Sequence, residues 1–421
     1  MARRRSRIGL HCRKLGILKL SVIKTISGSY HWQTADAIKW PVTTETGPGL
    51  RGVIACDTRV SWLDPSSGLL MYRGEPVERL AGSVSFEDVA FLLITGVPAT
   101  VDPQRATAFA QRLRSSRELP QDVVALVRSI DPSVHPTRIL RAGVSALGCH
   151  ELSVTDELSG SNHWRELRIV GQVAALVALI ARHRRGLDPI VVPADYSLAA
   201  GMLLALTGRE PEPEDVRVLE TLWVLYADHG LDAPTFTSMI VASCHADPYY
   251  NIVAGLSALR GPLLGGATES VLEQLLPLST PAAAREWTQQ TIADGARIAG
   301  FGHRLYHMAD PRAVVLRREL DMSARRHGQS QLFDVARAVE EEAVRTLAAK
   351  GVHVNINFYA APLFHLVGAE APLVPCLCAV GRMAGLVARV YESLESDRLY
   401  RPLSNYVGPK TRPLTSSESS S

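Results

Sequence analysis

Apolar residues recur at three- and four-residue spacing over most of the chain beyond Ser85, the period of helices that bury one face. Ser85-Phe86-Glu87-Asp88 is a capping signal placed just before Val89, Phe91, Leu92 and Leu93. Val216, Leu219, Leu222, Trp223 and Tyr226 keep the same spacing. Val170 to Ile180 is apolar almost all round, which predicts a helix buried on every side. Phe236 to Cys244 and Ile252 to Leu259 predict further buried helices, and Pro262, Gly265 and Gly266 predict a break after them. Val335 to Leu347 reads as an amphipathic helix with Glu340, Glu341 and Glu342 on a solvated face, and Leu373 to Leu394 as a long helix. Gly49 to Gly74 differs. Val60, Trp62 and Leu63 precede Asp64-Pro65-Ser66-Ser67-Gly68, and Leu69 to Tyr72 follow, which predicts a hairpin. The fold class is therefore mostly α-helical with a small N-terminal β-hairpin region. No internal repeat is visible, and no dinucleotide-type glycine pattern follows a strand.

Composition narrows the picture. The 421 residues are 46% hydrophobic and 21% charged, ample for a large buried core. A net charge of +3 gives no general argument for nucleic acid or a membrane as partner. Ile169 to Ile180 is too short to span a bilayer. Cys12, Cys56, Cys149, Cys244, Cys376 and Cys378 show neither a disulfide framework nor a zinc pattern, and read as scattered, mostly buried thiols. No metal is implied by residue type or spacing. The N-terminus is unlike the rest: eight Arg and Lys residues from Arg3 to Lys24 precede the first acid, Asp36, and after Lys39 the next lysine is Lys350. Residues 1–40 thus read as a basic extension, whether a mitochondrial import segment, a flexible leader or the product of an upstream-chosen start codon, on a chain otherwise expected in the cytoplasm. Thr411 to Ser421 is Ser-rich and reads as a disordered tail.

Four segments carry candidate chemistry: His229 to Phe236; Gly261-Pro262-Leu263-Leu264-Gly265-Gly266 with Ala267, Thr268 and Glu269; Gly300-Phe301-Gly302-His303 with Asp310-Pro311-Arg312; and Asn355-Ile356-Asn357-Phe358-Tyr359, followed by Arg382 and Arg398 to Pro402. Each has a bland reading. A His after a helix is commonly a cap, a Gly-Pro-rich stretch a loop, and an arginine a solvated surface group. A His set between glycines and an arginine is harder to dismiss, because glycine lets backbone approach a ligand that imidazole can hydrogen-bond.

Taken in order, with Gly49-Leu50-Arg51-Gly52, Tyr72-Arg73-Gly74, Arg401-Pro402 and Tyr406-Val407-Gly408-Pro409, these segments closely resemble the citrate synthase family from about Gly49 to Pro409. The resemblance implies a helical homodimer with a two-domain fold: a large domain over 41–263 and 363–410, and a small domain over 264–362. It implies condensation of an acyl-CoA, a substrate and not a cofactor, with a 2-oxo acid such as oxaloacetate. It assigns His229 and His303 to the oxo acid, His303 polarising its keto group, and Arg312, Arg382 and Arg401 to carboxylates, Arg401 across the subunit interface. Permanently charged, bidentate guanidinium groups suit that task.

Two positions depart from the family. Its acid/base imidazole, in Gly-Pro-Leu-His-Gly-Gly, is Leu264 here, and its carboxylate, in Asn-Val-Asp-Phe-Tyr, is Asn357. Leucine cannot hydrogen-bond, and a neutral amide is no practical base at pH 7. Each such group typically contributes roughly a hundred- to ten-thousandfold in rate, or about 3–5 kcal/mol of barrier. Gly230, Asp232, Pro234, Thr268 and His307 also differ from the residues usual in the family. His353 and Glu269 are the nearby candidates for a replacement base. Three readings follow: a divergent condensing enzyme; a member that binds a di- or tricarboxylate, or partners an active paralogue, without catalysis; and a different reaction, such as thioester cleavage, in the same cleft.

Overall fold

The structure is a computed structural model that describes residues 48–50, 52–150, 164–404 and 406–408. The basic extension and the Ser-rich tail lie outside the described residues. By internal contacts the chain divides into a unit of residues 1–55 with 152–161 and a unit of the remainder. Of the first, only 48–50 and 52–55 are described; every element below belongs to the second.

The expected hairpin is present. Strand β1 (Ser61–Asp64) pairs antiparallel with β2 (Leu69–Tyr72), Ser61 facing Tyr72 and Leu63 facing Leu70, and β2 pairs with a short β3 (Glu75–Pro76). Asp64 makes the turn by accepting from the Ser66 amide and from the Ser66 and Ser67 hydroxyls.

Sixteen α-helices follow among the described residues: α1 (Val77–Leu80), α2 (Phe86–Thr95), α3 (Pro103–Ser115), α4 (Gln121–Ser129), α5 (Pro136–Gly148), α6 (Trp164–Arg184), α7 (Leu198–Thr207), α8 (Pro213–Tyr226), α9 (Ala233–Ala242), α10 (Pro248–Leu259), α11 (Gly265–Leu275), α12 (Pro281–Ala293), α13 (Pro311–Arg326), α14 (Ser330–Leu347), α15 (Ile356–Leu366) and α16 (Val374–Ser396). The Ser85 and Asp88 side chains form the predicted capping box on α2. Val170 to Ile180 is buried within α6 as its composition requires.

Helix α16 is the axis of the core, packing against α2, α5, α6, α8, α9, α10 and α11. Residues 371–396 contain an 18-residue stretch with a mean hydropathy of 1.6, long and apolar enough to cross a bilayer by length and composition, but most of that stretch is buried inside the protein. Its apolar length answers to neighbours on all sides. Where α16 crosses the end of α8 the backbones nearly touch. A Cβ at Gly385 would lie 2.1 Å from the Ala227 carbonyl oxygen, and the Gly385 amide donates to that oxygen at 3.1 Å.

Three expectations are corrected. Gly265 and Gly266 do not belong to the break: the Ala267 amide donates to the Leu264 carbonyl, and α11 begins directly after Leu264. Glu340 to Glu342 are not a solvated face: Glu342 is buried and accepts from Gln289 and Arg345, and Glu340 accepts from the Tyr359 hydroxyl. Of the five described cysteines, Cys376 and Cys378 are buried, Cys56 is half-buried, and Cys149 and Cys244 are exposed.

One buried ion pair ties hairpin, α8 and α16 together. The Arg389 guanidinium, fully buried on α16, donates to both carboxylate oxygens of Asp228, at 3.0 and 3.2 Å, and to the Ser61 hydroxyl at 2.8 Å. Burial disfavours the Asp228 charge, yet Arg389, with Arg382 and the Ser61 hydroxyl adding to it, outweighs burial and holds the carboxyl below its usual range. From β2, the Tyr72 hydroxyl donates to the Val224 and Asp228 carbonyls at the end of α8. Replacing Arg389 with Met leaves a buried carboxylate without its cation, and is expected to cost about 3–5 kcal/mol. Urea denaturation reads this directly; an unmoved midpoint would show that the pair does not hold the core.

Candidate active site

The loop after α8 presents the first candidate. Asp228 accepts from the Gly230 amide at 2.9 Å, and so fixes the turn on either side of His229. The His229 ring is buried, and its Nε2 has no hydrogen-bond partner among the described residues. Its ring lies edge-on to His303, with 5.1 Å between centroids, and 5.6 Å from Tyr306. Burial, with Arg312, His303 and Arg382 adding to it, holds the His229 pKa well below the ordinary imidazole value.

His303 reaches the same spot from a different part of the chain. Residues 300–302 run antiparallel to 353–355: Gly302 N donates to the His353 carbonyl, Asn355 N to the Gly300 carbonyl, and Asn355 Nδ2 to the Gly302 carbonyl, all at 2.8–2.9 Å. Gly300, at φ +79°, sits against α15, where a Cβ would fall 2.7 Å from that of Phe358. The turn that follows aims the amides of Leu305 and Tyr306 at His303 Nδ1, both at 3.1 Å. Nδ1 is therefore an acceptor, and the neutral ring carries its proton on Nε2. Burial, reinforced by Arg312 and opposed by Asp310, lowers the His303 pKa to about 4. The side chain is thus a fixed Nε2–H donor at neutral pH.

Arg312 opens α13. Asp310 caps that helix by accepting from the Arg312 amide, and takes Nε at 3.0 Å and Nη2 at 2.7 Å of the same residue. The Ile356 amide also donates to Asp310, tying α13 to α15. Asp310 leaves Nη1 of Arg312 unengaged. Arg382, buried on α16, is disposed differently: its Nη2 meets the Asp232 carboxylate and its Nη1 donates to the Tyr226 carbonyl at 3.3 Å. Asp232 also caps α9 by accepting from the Thr235 amide at 3.1 Å.

Asn357 lies in the first turn of α15, half-buried. Its Oδ1 accepts from the Tyr226 hydroxyl at 2.8 Å and the Thr268 hydroxyl at 3.0 Å. Leu264 stands immediately before α11, one turn ahead of Thr268. Neither suggested replacement base is bonded to Asn357 among the described residues. The Glu269 carboxylate is taken by His135 Nε2 at 3.0 Å, and His353 enters the site through its backbone carbonyl. Tyr226 and Cys378, near Asn357, are driven toward their neutral forms by burial, the thiol up to about 12.

His229, His303, Arg312 and Arg382 therefore converge, and Asn357 joins them through Tyr226. Arg401 does not join them on its own chain: it is exposed, and its Nη1 donates to the Pro402 carbonyl. The sequence reading missed the partners. Asp228 and Arg389 were not singled out at all, Asp310 appeared only as part of the Asp-Pro-Arg segment, and Tyr226 only as one of a run of apolar positions.

The chain resembles known proteins along most of its length. The family described as Citrate synthase, C-terminal domain matches residues 49–403. A citrate synthase of Acidithiobacillus ferridurans is 35% identical over 374 residues, covering 87% of this chain and 96% of that protein. A 2-methylcitrate synthase of Mycobacterium tuberculosis is 34% identical over 367 residues, covering 87% of this chain and 91% of the relative. Among solved structures, citrate synthase from Pyrobaculum aerophilum superposes with a TM-score of 0.78 at 31% identity, over 87% of this chain and 93% of that one. The ternary complex of carboxymethyl coenzyme A and oxaloacetate with citrate synthase from Thermoplasma acidophilum superposes with a TM-score of 0.81 at 26% identity, over 88% of this chain and 98% of that one. The chain belongs to the citrate synthase family.

His303 generates a pH prediction. Its pKa falls from 6.5 in the unfolded chain to about 4 in the fold. Between those values the unfolded chain binds the proton that the folded chain refuses, so acidification through this window favours unfolding. His303→Asn keeps an acceptor for the two amides and cannot titrate there. It is expected to flatten part of the fall in urea midpoint from pH 6.5 to 4; an unchanged slope would assign that fall to other groups.

Proposed function

We propose that this chain is an acyl-CoA:2-oxo acid condensing enzyme, with oxaloacetate or a related 2-oxo acid as acceptor and its acid/base apparatus altered at Leu264 and Asn357. The observation that carries the reading is the convergence of His229, His303 and Arg312, with the Nε2–H of His303 fixed by its backbone partners. A keto oxygen set against that donor is polarised without proton transfer, while Nη1 of Arg312 takes the neighbouring carboxylate. Acyl-CoA is then the second substrate, and no cofactor is required. The small domain is residues 264–362, closing on 41–263 with 363–410. The working form is a homodimer in which Arg401 serves the other copy's cleft, a reading that its exposure on its own chain supports.

A specific observation favours a second reading, in which the cleft binds an oxo acid or a di- or tricarboxylate without turnover. Asn357 Oδ1 is committed to two hydroxyl donors, and the groups around it are held neutral. Nothing bonded to Asn357 removes a proton from an acyl methyl at pH 7.

Free thiol release from acetyl-CoA, followed with a series of 2-oxo acids including oxaloacetate, separates the two. The first reading expects slow release that depends on the oxo acid, at least about a hundredfold below a member with both acid/base groups. Leu264→His combined with Asn357→Asp is expected to raise that rate. Oxo-acid binding by calorimetry with no thiol release in either protein supports the second reading and sinks the first.

A further inference from the structure

The two guanidinium groups of the cleft are not equivalent. Both are buried, and each has a resident carboxylate. On Arg312 that carboxylate is behind the working edge: Asp310 takes Nε and Nη2, and Nη1 is left. On Arg382 both terminal nitrogens are committed, Nη2 to Asp232 and Nη1 to the Tyr226 carbonyl. Asp232 is itself held in place as the cap of α9, with one oxygen on the Thr235 amide and the other on Arg382. Within one copy the facing charges sum to two cations and two anions, since burial keeps His229 and His303 neutral; Arg401 of the other copy, on the dimer reading above, adds one cation, which a single carboxylate balances. Arg389, the next cation, is spent on Asp228.

A ligand with one carboxylate fits this arrangement. Its carboxylate meets Nη1 of Arg312, its keto oxygen meets Nε2–H of His303, and the unpartnered Nε2 of His229 lies beside them. A second carboxylate directed at Arg382 would meet Asp232 instead. It would have to displace a carboxylate already bonded there, or lie against it as a like charge in a buried site. The resemblance to dicarboxylate-using relatives thus leads to an expectation of Arg382 as a ligand group that Asp232 pre-empts.

We propose that Asp232 sets the substrate class of this cleft, selecting 2-oxo acids with a single carboxylate over 2-oxo dicarboxylates. The inference rests on the oxo-acid reading above. The tail beyond the keto carbon of such a substrate then lies toward the Arg382–Asp232 pair, and is uncharged.

Asp232→Asn tests it, because asparagine caps a helix as well as aspartate and removes only the charge. Binding of pyruvate, 2-oxobutyrate and oxaloacetate is measured by calorimetry on the full-length native protein, on Asp232→Asn, and on Asp232→Glu as a charge-retaining control. The native protein is expected to bind a monocarboxylate more tightly than oxaloacetate. Asp232→Asn is expected to shift the preference toward oxaloacetate by at least about tenfold, the scale of relieving a like-charge contact, while Asp232→Glu keeps the native order. Tighter binding of oxaloacetate by the native protein, or a preference unmoved by Asp232→Asn, overturns the inference and leaves the oxo-acid reading standing. Binding of none of the three acids by any of the proteins overturns the oxo-acid reading and the inference with it.

Discussion

The buried pairing of Asp228 with Arg389 is the constraint on which the site depends. A carboxylate and a guanidinium removed from water are tolerated only when their remaining lone pairs and protons are met, and here Ser61, Thr58 and the Gly230 amide meet them. The pair joins three elements distant in sequence: the first strand, the end of α8 and the second half of α16. Because Asp228 immediately precedes His229, satisfying the ion pair also fixes the backbone that carries the imidazole. Gly385 serves the same junction by admitting the α8 carbonyls to the surface of α16.

The rest of the cleft is built by a similar economy, in which one carboxylate does two jobs. Asp310 caps α13 while orienting Arg312, and it bonds the first amide of α15. Asp232 caps α9 while meeting Arg382. Local helix chemistry thereby sets the directions of the two long, flexible cations. The outcome is a pocket of neutral imidazoles and balanced charge, in which small differences in placement decide what a ligand's own charge encounters.

The helical framework was legible from the chain wherever the apolar period was strong, as in α2, α6, α8 and α16. His229, His303, Arg312 and Asn357 were legible as motifs. What was hidden shares one physical character: it depends on pairs far apart in sequence. Asp228 and Arg389 are 161 residues apart, and nothing in the local pattern of either marks a buried charge. The acids at 340–342 look solvated in a helical projection because that projection omits Tyr359, Gln289 and Arg345, their partners in the fold. The start of α11 at Gly265 was hidden because glycine at a helix entrance reads like glycine in a loop.

The short antiparallel ladder between 300–302 and 353–355 has a mechanical consequence. It fuses the His303 turn to the entrance of α15, and Asp310 fastens Arg312 to the same body through Ile356. The spacing of His303 and Arg312 is therefore set by one small body, and Asn357, at the head of the same helix, is the point where that body is stitched to α8 through the Tyr226 hydroxyl.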